Sequence, residues 1–240
     1  ADDQIVIVTI DDESINSLQN CPWPRSFHAH VINTISEAGA KAIGLDIIFS
    51  DLSNTGSVES TLSDPDAWMK EPEPSANDRR LQQALAGAEN VIMAAEITEN
   101  ERDAGEMQAQ MTAGNFPHWR FEESSQGIGL VNFPRDLDGV VRRMYLSREF
   151  LGQTYPSFAV ALARLVDDVS VPQPSSHPYL PKNTIPIAYR GPAQTYEQVP
   201  YYQVLEGRID PEVFSDRIVL IGATASVLQD LHLCPMDGAA

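Results

Sequence analysis

The sequence predicts an α/β fold of three layers, with a mostly parallel sheet, helices on both of its faces and one added antiparallel hairpin. Three continuous apolar runs rich in β-branched residues, at 5–10, 42–45 and 218–223, are typical of parallel strands buried on both faces. A helical pattern lies between the first two runs, which predicts a βαβ unit with a right-handed crossover. The Asp-Gly pair at 138–139 favours a hairpin turn.

The first helix is predicted from its cap, its apolar face and its breaker. Ser26 is expected to cap a helix that carries Val31, Ile32 and Ile35 on one face and ends at Gly39. Because the second apolar run follows at once, a strand is expected over residues 41–49.

The later elements follow from the same signals. Asn77 is expected to cap a second helix before a strand at 91–97, and Ser157 to open a further helix. The segments on either side of the Asp-Gly turn, 129–133 and 140–150, are expected to pair as the antiparallel hairpin. A short strand at 187–189, a short helix near 202–205 and the strand at 218–223 come last, while residues 50–76 and 98–126 are predicted to be long excursions.

Length and charge limit the class of protein. Two hundred and forty residues suit one large α/β domain, so residues 1–240 are expected to form a single domain, excised from a longer protein. The formal net charge of -18 excludes a nucleic-acid partner, because phosphate binding needs an excess of Lys and Arg. No window supplies the roughly 20 apolar residues that a membrane-spanning helix needs.

Three aspartates stand at or after the ends of apolar runs. Asp11 and Asp46 end the first two runs, and Asp230 follows the last one. Ligands of open α/β sheets sit outside the carboxyl ends of the strands, so these residues are candidate ligand-binding groups, together with Arg25 as an ionic partner of Asp11 or Asp46. No cofactor is expected, although the acids after the first run could hold a divalent cation or merely cap a short helix.

Catalysis has no specific support in the sequence. The acids Asp136 and Asp138 resemble the start of a calcium loop, but Ser147 stands where a bidentate Glu is required, so a hairpin turn is preferred. No nucleophile elbow, phosphate-binding loop or dinucleotide fingerprint is present. Cys21 and Cys234 lack zinc-site spacing; they are either unrelated thiols or neighbours at one sheet edge, if their strands are adjacent.

Several motifs in the same order resemble the second type of CHASE domain over nearly the whole chain. In the first half of the chain the motifs are Ile7-Val-Thr-Ile-Asp-Asp-Glu-Ser14, Pro22-Trp-Pro-Arg25 with His28, and Gly44-Leu-Asp-Ile-Ile-Phe49. In the second half they are Gly129-Leu-Val-Asn-Phe133, Asp138-Gly-Val-Val-Arg-Arg143, Tyr155-Pro-Ser-Phe-Ala159, and Val219-Leu-Ile-Gly-Ala-Thr224 with Asp230 and Pro235.

The resemblance implies a non-catalytic sensor domain in the extracytoplasmic, periplasmic or cell-surface part of an inner-membrane receptor. Such a receptor relays an ionic or small-molecule stimulus to a cytoplasmic adenylate or other nucleotide cyclase, diguanylate cyclase or kinase, and it is expected to be a homodimer. Cys21 and Cys234 both depart from the family pattern, at strand ends that the family fold would place close together. The resemblance therefore implies a disulfide between them, which an extracytoplasmic compartment permits.

Three other functions remain open at this stage. A receptor for a metal ion or small ligand would use Asp11, Asp46 and Asp230 with Arg25. A secreted hydrolase would need a base and a nucleophile that the sequence does not reveal. A structural spacer or a redox sensor acting through the two cysteines is the third, and redox sensing would require an easily reduced bond.

Overall fold

The structure, a computed structural model, describes residues 4–19, 21–53, 73–99, 111–166, 173–174, 182–192, 194–225 and 234–236. Its strands are β1 (Ile5–Ile10), β2 (Ala42–Asp46), β3 (Val91–Glu99), β4 (Met111–Asn115), β5 (Gly127–Leu130), β6 (Arg143–Tyr145), β7 (Ser147–Phe150), β8 (Gln153–Pro156), β9 (Thr184–Pro186), β10 (Glu197–Pro200) and β11 (Ile218–Ala223). Its helices are α1 (Asp12–Leu18), α2 (Arg25–Glu37), α3 (Ala76–Ala88), α4 (Trp119–Ser124), α5 (Phe158–Leu165) and α6 (Tyr201–Leu205), with a 3-10 turn at Pro211–Phe214.

Within these residues, seven strands form one mixed sheet in the order β10-β1-β11-β2-β3-β4, and β5 also pairs with β3. All of its pairings are parallel except that between β3 and β4. The predicted α/β fold with a mostly parallel sheet is therefore confirmed. The last strand lies directly between β1 and β2, which brings the first and last strands of the chain side by side.

Helices cover both faces of the sheet. Alternate strand residues point to opposite faces, and the larger core joins Val6, Val8 and Ile221 to the apolar faces of α2, α3 and α6. A second, smaller core packs Ala42 and Ile92 against α5. The two cores account for the predicted three layers.

The face under α5 is covered incompletely. In β1 the residues of the larger core are buried, whereas Ile5 and Ile7 are only half-buried. In β11, Ile218 and Leu220 are likewise only half-buried. Helix α5 has eight residues and so measures about 12 Å, and its main contacts are with β2, β3 and β5. The central strands β1 and β11 therefore keep an apolar surface beside the helix rather than beneath it.

The hairpin lies further along the chain than the sequence predicts. The turn itself forms, since the Gly139 amide donates to the Asp136 carbonyl at 2.8 Å, but β5 pairs in parallel with β3 instead of with the residues after the turn. The observed hairpin is β7 with β8, and β6 pairs with β9 in another two-stranded sheet. Arg142 stabilises the turn, because it binds both acids of the loop.

Several predicted boundaries shift. Helix α2 begins after Pro24, so Ser26 lies inside its first turn, and α3 is capped by Ser75 rather than Asn77. The strand predicted at 187–189 is β9, three residues earlier. The excursion predicted over 98–126 contains β4 and α4, while most of the excursion over 50–76 lies outside the described residues.

Candidate functional site

Asp11 is used locally as a helix cap. It follows β1, and one carboxylate oxygen accepts the Ser14 amide at 2.7 Å while the other accepts the Thr9 hydroxyl at 3.1 Å. A carboxylate at this position satisfies an otherwise unpaired amide of the first helical turn. The short helix is therefore capped, as one sequence-based interpretation expected, but the capping residue is Asp11, and Asp12 and Glu13, which were expected to cap it, lie in its first turn.

Arg25 pairs with a carboxylate that the sequence did not indicate. Its guanidinium binds the Asp78 carboxylate and the carbonyl of Asp51, not Asp11 or Asp46. The guanidinium also lies over the rings of Phe49 and Phe121, at 5.3 and 5.0 Å from their centroids. The predicted pairing of Arg25 across the sheet edge is therefore wrong, because its partner comes from α3.

Asp78 joins the two ends of a long excursion. Its carboxylate, which solvent does not reach, accepts the Ser53 hydroxyl at 2.9 Å and the Ser75 amide at 2.7 Å. Burial alone would raise the pKa of this carboxyl, but the hydrogen bonds from Arg25, Ser75 and Ser53 outweigh it and hold the pKa far below its usual range. The pair with Arg25 thus fixes residues on both sides of the segment 54–72.

His28 and Trp23 form a buried aromatic cluster with Tyr201. The rings of Trp23 and Tyr201 stack at 4.9 Å, and the Tyr201 hydroxyl lies 2.9 Å from Nδ1 of His28. Burial and the neighbouring charge of Arg25 lower the pKa of His28 to about 4, and burial raises the pKa of Tyr201. Trp23 and His28 of the motif at residues 22–28 therefore belong to the buried core beside Tyr201, where His28 is held neutral.

Asp46 lies beside an apolar cavity at the carboxyl ends of the strands. It ends β2 next to Gly222 of β11 and shares the α5 face of β2 with Ala42 and Gly44. The apolar cavity has a volume of about 410 Å³. Its apolar walls are Ile7, Leu130, Met144, Phe158, Ile187 and Leu220, and its polar rim is Asp46, Asn132, Ser157 and Thr224.

A second, polar cavity of about 510 Å³ adjoins the first. It is lined by Glu96 and Arg135, and both cavities share Asp46, Asn132 and Phe133. Phe133 is 45% exposed, so its ring is open to solvent where the two cavities meet. Asp46 is thus the carboxylate common to an apolar compartment and a charged one.

Asn132 holds the wall between the two cavities. Its amide nitrogen donates to the Ile97 carbonyl and its amide oxygen accepts the Ile97 amide, both at 2.9 Å. The side chain therefore continues the pairing of β5 with β3 beyond Leu130. Sequence reasoning did not single out Asn132, although a polar amide directly after a buried strand is a signal for such a role.

Most of the apolar cavity is built from segments that carry the family resemblance. Residue 46 belongs to the second apolar run, residues 130–133 to the segment after β5, residues 157–159 to the start of α5, and residues 220–224 to β11 and its exit. Gly129 allows α5 to approach, since a Cβ there would lie 2.5 Å from the Phe158 Cα atom. The motifs therefore converge on one place, which their order in the sequence does not reveal.

The other predicted residues either have local partners or lie outside the described part of the chain. Asp230 lies outside the described residues. Asp136 and Asp138 bind Arg142 at 2.7 and 2.8 Å, so the loop that resembled a calcium site is occupied by a guanidinium. Among residues that the structure describes, no group of three or more His, Cys, Asp or Glu side chains could hold a metal ion.

The two cysteines are in the thiol form in the structure. Cys21 is exposed and Cys234 is half-buried. The strands that precede them in the chain, β1 and β11, are adjacent and parallel, as the sequence argument required. The disulfide between Cys21 and Cys234 stays a prediction.

The fold and the two cavities define an α/β domain with a ligand-sized site at the carboxyl edge of its sheet. The family model for the CHASE2 domain matches residues 1–240, so the chain belongs to the CHASE2 domain family. It is accordingly an extracytoplasmic sensory domain of a non-catalytic family. No curated protein and no solved structure matches the chain. In the described part of the chain, none of the helices has the length and apolar character to cross a membrane.

Proposed function

We propose that this domain receives a small-molecule stimulus in the apolar cavity and relays it, within an inner-membrane receptor, to a cytoplasmic nucleotide cyclase, diguanylate cyclase or kinase. The observation that carries the proposal is that the cavity is lined by both the first and the last strand in chain order, through Ile7 of β1 and residues 220–223 of β11. A ligand there contacts the two strands nearest to the connections with the rest of a receptor.

Signalling requires that the ligand bind two arrangements of the domain with different affinity. Residues 222–224 can respond to a bound ligand, because they line the cavity and come directly before the C-terminal segment. A change in the exit of β11 relative to β1 would alter the relative position of the two chain connections. Pairs of CHASE2 domains in a homodimer would pass this change to effectors that work as pairs, and light scattering of the 240-residue chain at high concentration tests the dimer.

A cavity-filling substitution tests the relay in the full-length receptor. Ala159 is an exposed residue of α5 that lines the cavity, so Ala159→Trp should fill it with little loss of stability. We expect the output of the receptor in membranes to change by about fivefold or more, the range of ordinary allosteric coupling. The measurement is formation of cyclic nucleotides and cyclic dinucleotides, together with autophosphorylation.

Ala163→Trp is the matched control, since Ala163 lies one turn further along the same helix and is not among the cavity-lining residues. Its output should equal that of the unmodified receptor. The proposal fails if Ala159→Trp and Ala163→Trp leave all three outputs the same.

A further inference from the structure

We infer that the ligand of the apolar cavity is an uncharged, mainly apolar molecule with one hydrogen-bond acceptor, a carbonyl or ether oxygen, which the hydroxyl of Ser157 binds. This inference rests on the proposed function, because it names the class of ligand for the same cavity. The size and walls of the cavity, the burial of Ser157 and the unused donor of its side chain support it.

The walls decide the body of the ligand. A volume of about 410 Å³ falls within the range of small-molecule sites, which are mostly apolar with a few placed polar groups. Ile7, Phe158 and Leu220 line the cavity and are only half-buried, so a bound apolar molecule would remove more of their surface from water. Because the removal of apolar surface from water favours binding, an aromatic or branched aliphatic body is the match.

Ser157 supplies a hydrogen-bond donor inside the cavity. Among the described residues that line the cavity, it is the one buried polar side chain, with 5% of its surface exposed. Its oxygen caps α5 by accepting the Val160 amide at 3.4 Å, but within the described part of the chain its hydroxyl donates to no acceptor. A buried donor without an acceptor costs free energy, and such groups in proteins are normally paired. An acceptor on the ligand would supply the missing partner.

The other polar side chains of the rim offer a ligand less. Both polar atoms of the Asn132 amide bind the main chain of Ile97. Asp46 is exposed and already takes part in an interaction of its own. Thr224 is exposed, so water can bind its hydroxyl. Ser157 is therefore the rim group at which a ligand gains most.

The same lining decides that the ligand is uncharged. The described residues that line the apolar cavity include no Lys, Arg or His to balance an anion, and a cation would compete for a carboxylate that already has a partner. A charge buried among apolar side chains loses its hydration without compensation. A ligand hydroxyl would bring a proton that the apolar walls cannot accept, whereas a carbonyl or ether oxygen only accepts.

Four probes with the same ring and nearly the same shape test the inference on the 240-residue chain by isothermal titration calorimetry. Acetophenone carries the acceptor, ethylbenzene lacks it, α-methylbenzylamine is a cation at neutral pH, and benzoate is the anion. We expect acetophenone to bind roughly tenfold or more tightly than either charged probe. Ala159→Trp should abolish binding of acetophenone and ethylbenzene, which assigns both to the cavity.

Two variants assign the acceptor to one hydroxyl. Ser157→Ala should weaken acetophenone on the order of three- to tenfold, the range of one net hydrogen bond, and should change ethylbenzene by less than about twofold. Each probe is compared with itself, so the difference in hydrophobicity between the probes cancels. Ser157→Thr keeps a hydroxyl and should keep the affinity for acetophenone.

An infrared measurement tests the same hydrogen bond without any substitution. The carbonyl stretching frequency of acetophenone, isotope-labelled at the carbonyl, should be lower in the complex than in hexane, because a hydrogen bond weakens the carbonyl double bond. A frequency equal to that in hexane would show that no donor binds the oxygen, and would overturn the inference even if the variants of Ser157 do not fold.

The ligand class is wrong if none of the probes binds, if a charged probe binds as tightly as acetophenone, or if Ser157→Ala changes the affinities for acetophenone and ethylbenzene equally. Tight binding of a charged probe that Ala159→Trp abolishes would overturn the uncharged class yet leave the receptor proposal standing. The receptor proposal fails separately, on the output of the full-length protein with Ala159→Trp.

Discussion

At the scale of single residues, the charged groups of this domain serve mainly to hold the chain in place. Arg25 and Asp78 form a nearly buried ion pair between α2 and α3, with 13% and 0% of their side chains exposed. Such a pair contributes little net stability relative to apolar packing, but loss of one partner leaves the other charge buried and uncompensated. Asp78 is therefore more sensitive to substitution than the acids at the sheet edge.

Asp78→Asn should lower the free energy of unfolding by about 3 kcal/mol, because an amide nitrogen would face the donors of Arg25 and Ser75. Urea unfolding measures the change. Asp216→Asn removes the exposed ion pair with Lys41 and should lower the free energy of unfolding by less than about 1 kcal/mol. Equal losses in the two variants would contradict the clamp at Asp78.

His28 makes the stability of the domain depend on pH. The folded protein holds this residue neutral with a pKa of about 4, whereas the unfolded chain binds a proton near 6.5. The contribution of neutral His28 to the free energy of unfolding is therefore fully present above about pH 6.5. It is lost as the pH falls toward 4, and the free energy of unfolding decreases by about 3 kcal/mol in all. Asp78 has a lowered pKa, so its own contribution is lost only below its ordinary value of 3.8.

Urea unfolding between pH 7 and pH 4.5 thus measures the loss of the His28 contribution, because this range covers most of the interval between its ordinary pKa of 6.5 and its folded pKa of about 4. His28→Gln, which keeps a hydrogen-bonding group beside Tyr201, should flatten the dependence over this range. His30→Gln, an exposed position on the same helix, should retain it. A dependence that survives His28→Gln would mean that another group titrates.

At the scale of elements, two glycines let α5 lie close to the sheet. A Cβ at Gly44 would come within 2.9 Å of three side chains, and one at Gly129 within 2.5 Å of the Phe158 backbone. The backbone contact is the more severe, because no rotamer change can relieve it. The position of α5 determines the apolar cavity, since Ser157 and Phe158 line it.

Gly129→Ala should destabilise the domain by roughly 1–3 kcal/mol, the range for overpacked cores, and should weaken ligand binding through displacement of α5. Gly87→Ala is the opposite control: no atom lies within 4 Å of the new methyl group, and it stands in α3, so it should stabilise by about 0.5–1 kcal/mol. Thermal unfolding measures both. A neutral Gly129→Ala would show that α5 can move without cost.

The elements themselves were largely predictable, and their partners were not. The apolar runs at β1, β2 and β11 and the helical period of α2 are local patterns, so the α/β fold followed from them. Continuous apolar runs do not distinguish the two faces of a strand, and hence did not reveal that one face of β1 is only half covered. The hairpin was misplaced for a related reason: an Asp-Gly turn specifies a reversal of the chain, not the strands that pair beyond it.

At the scale of the whole molecule, the topology brings the first and the last strand of the chain together. Adjacent parallel strands β1 and β11 precede Cys21 and Cys234 respectively. The neighbouring positions of the two strands, together with the extracytoplasmic location of the family, support the proposed disulfide. In the chain-entropy treatment, closing so long a loop stabilises a protein by about 4–5 kcal/mol.

Protein exported to an oxidising compartment should show the disulfide between Cys21 and Cys234 by mass spectrometry after alkylation. We expect no adduct without reduction and two adducts after it, because the sequence has two cysteines. Cys21→Ser should carry one adduct under both conditions and should unfold at a lower temperature. Equal mass of the unmodified chain with and without the reductant would exclude the bond.

The sequence alone determined the class of fold, the family motifs and the candidate Asp46, because each is written in local order: a period, a spacing or a residue at the end of a run. Only the tertiary structure decided that Arg25 pairs with Asp78, that Asp11 caps a helix and that Asn132 and α5 bound a cavity. These outcomes depend on contacts between segments that lie far apart in the chain, and such contacts form only when the chain packs into its tertiary structure.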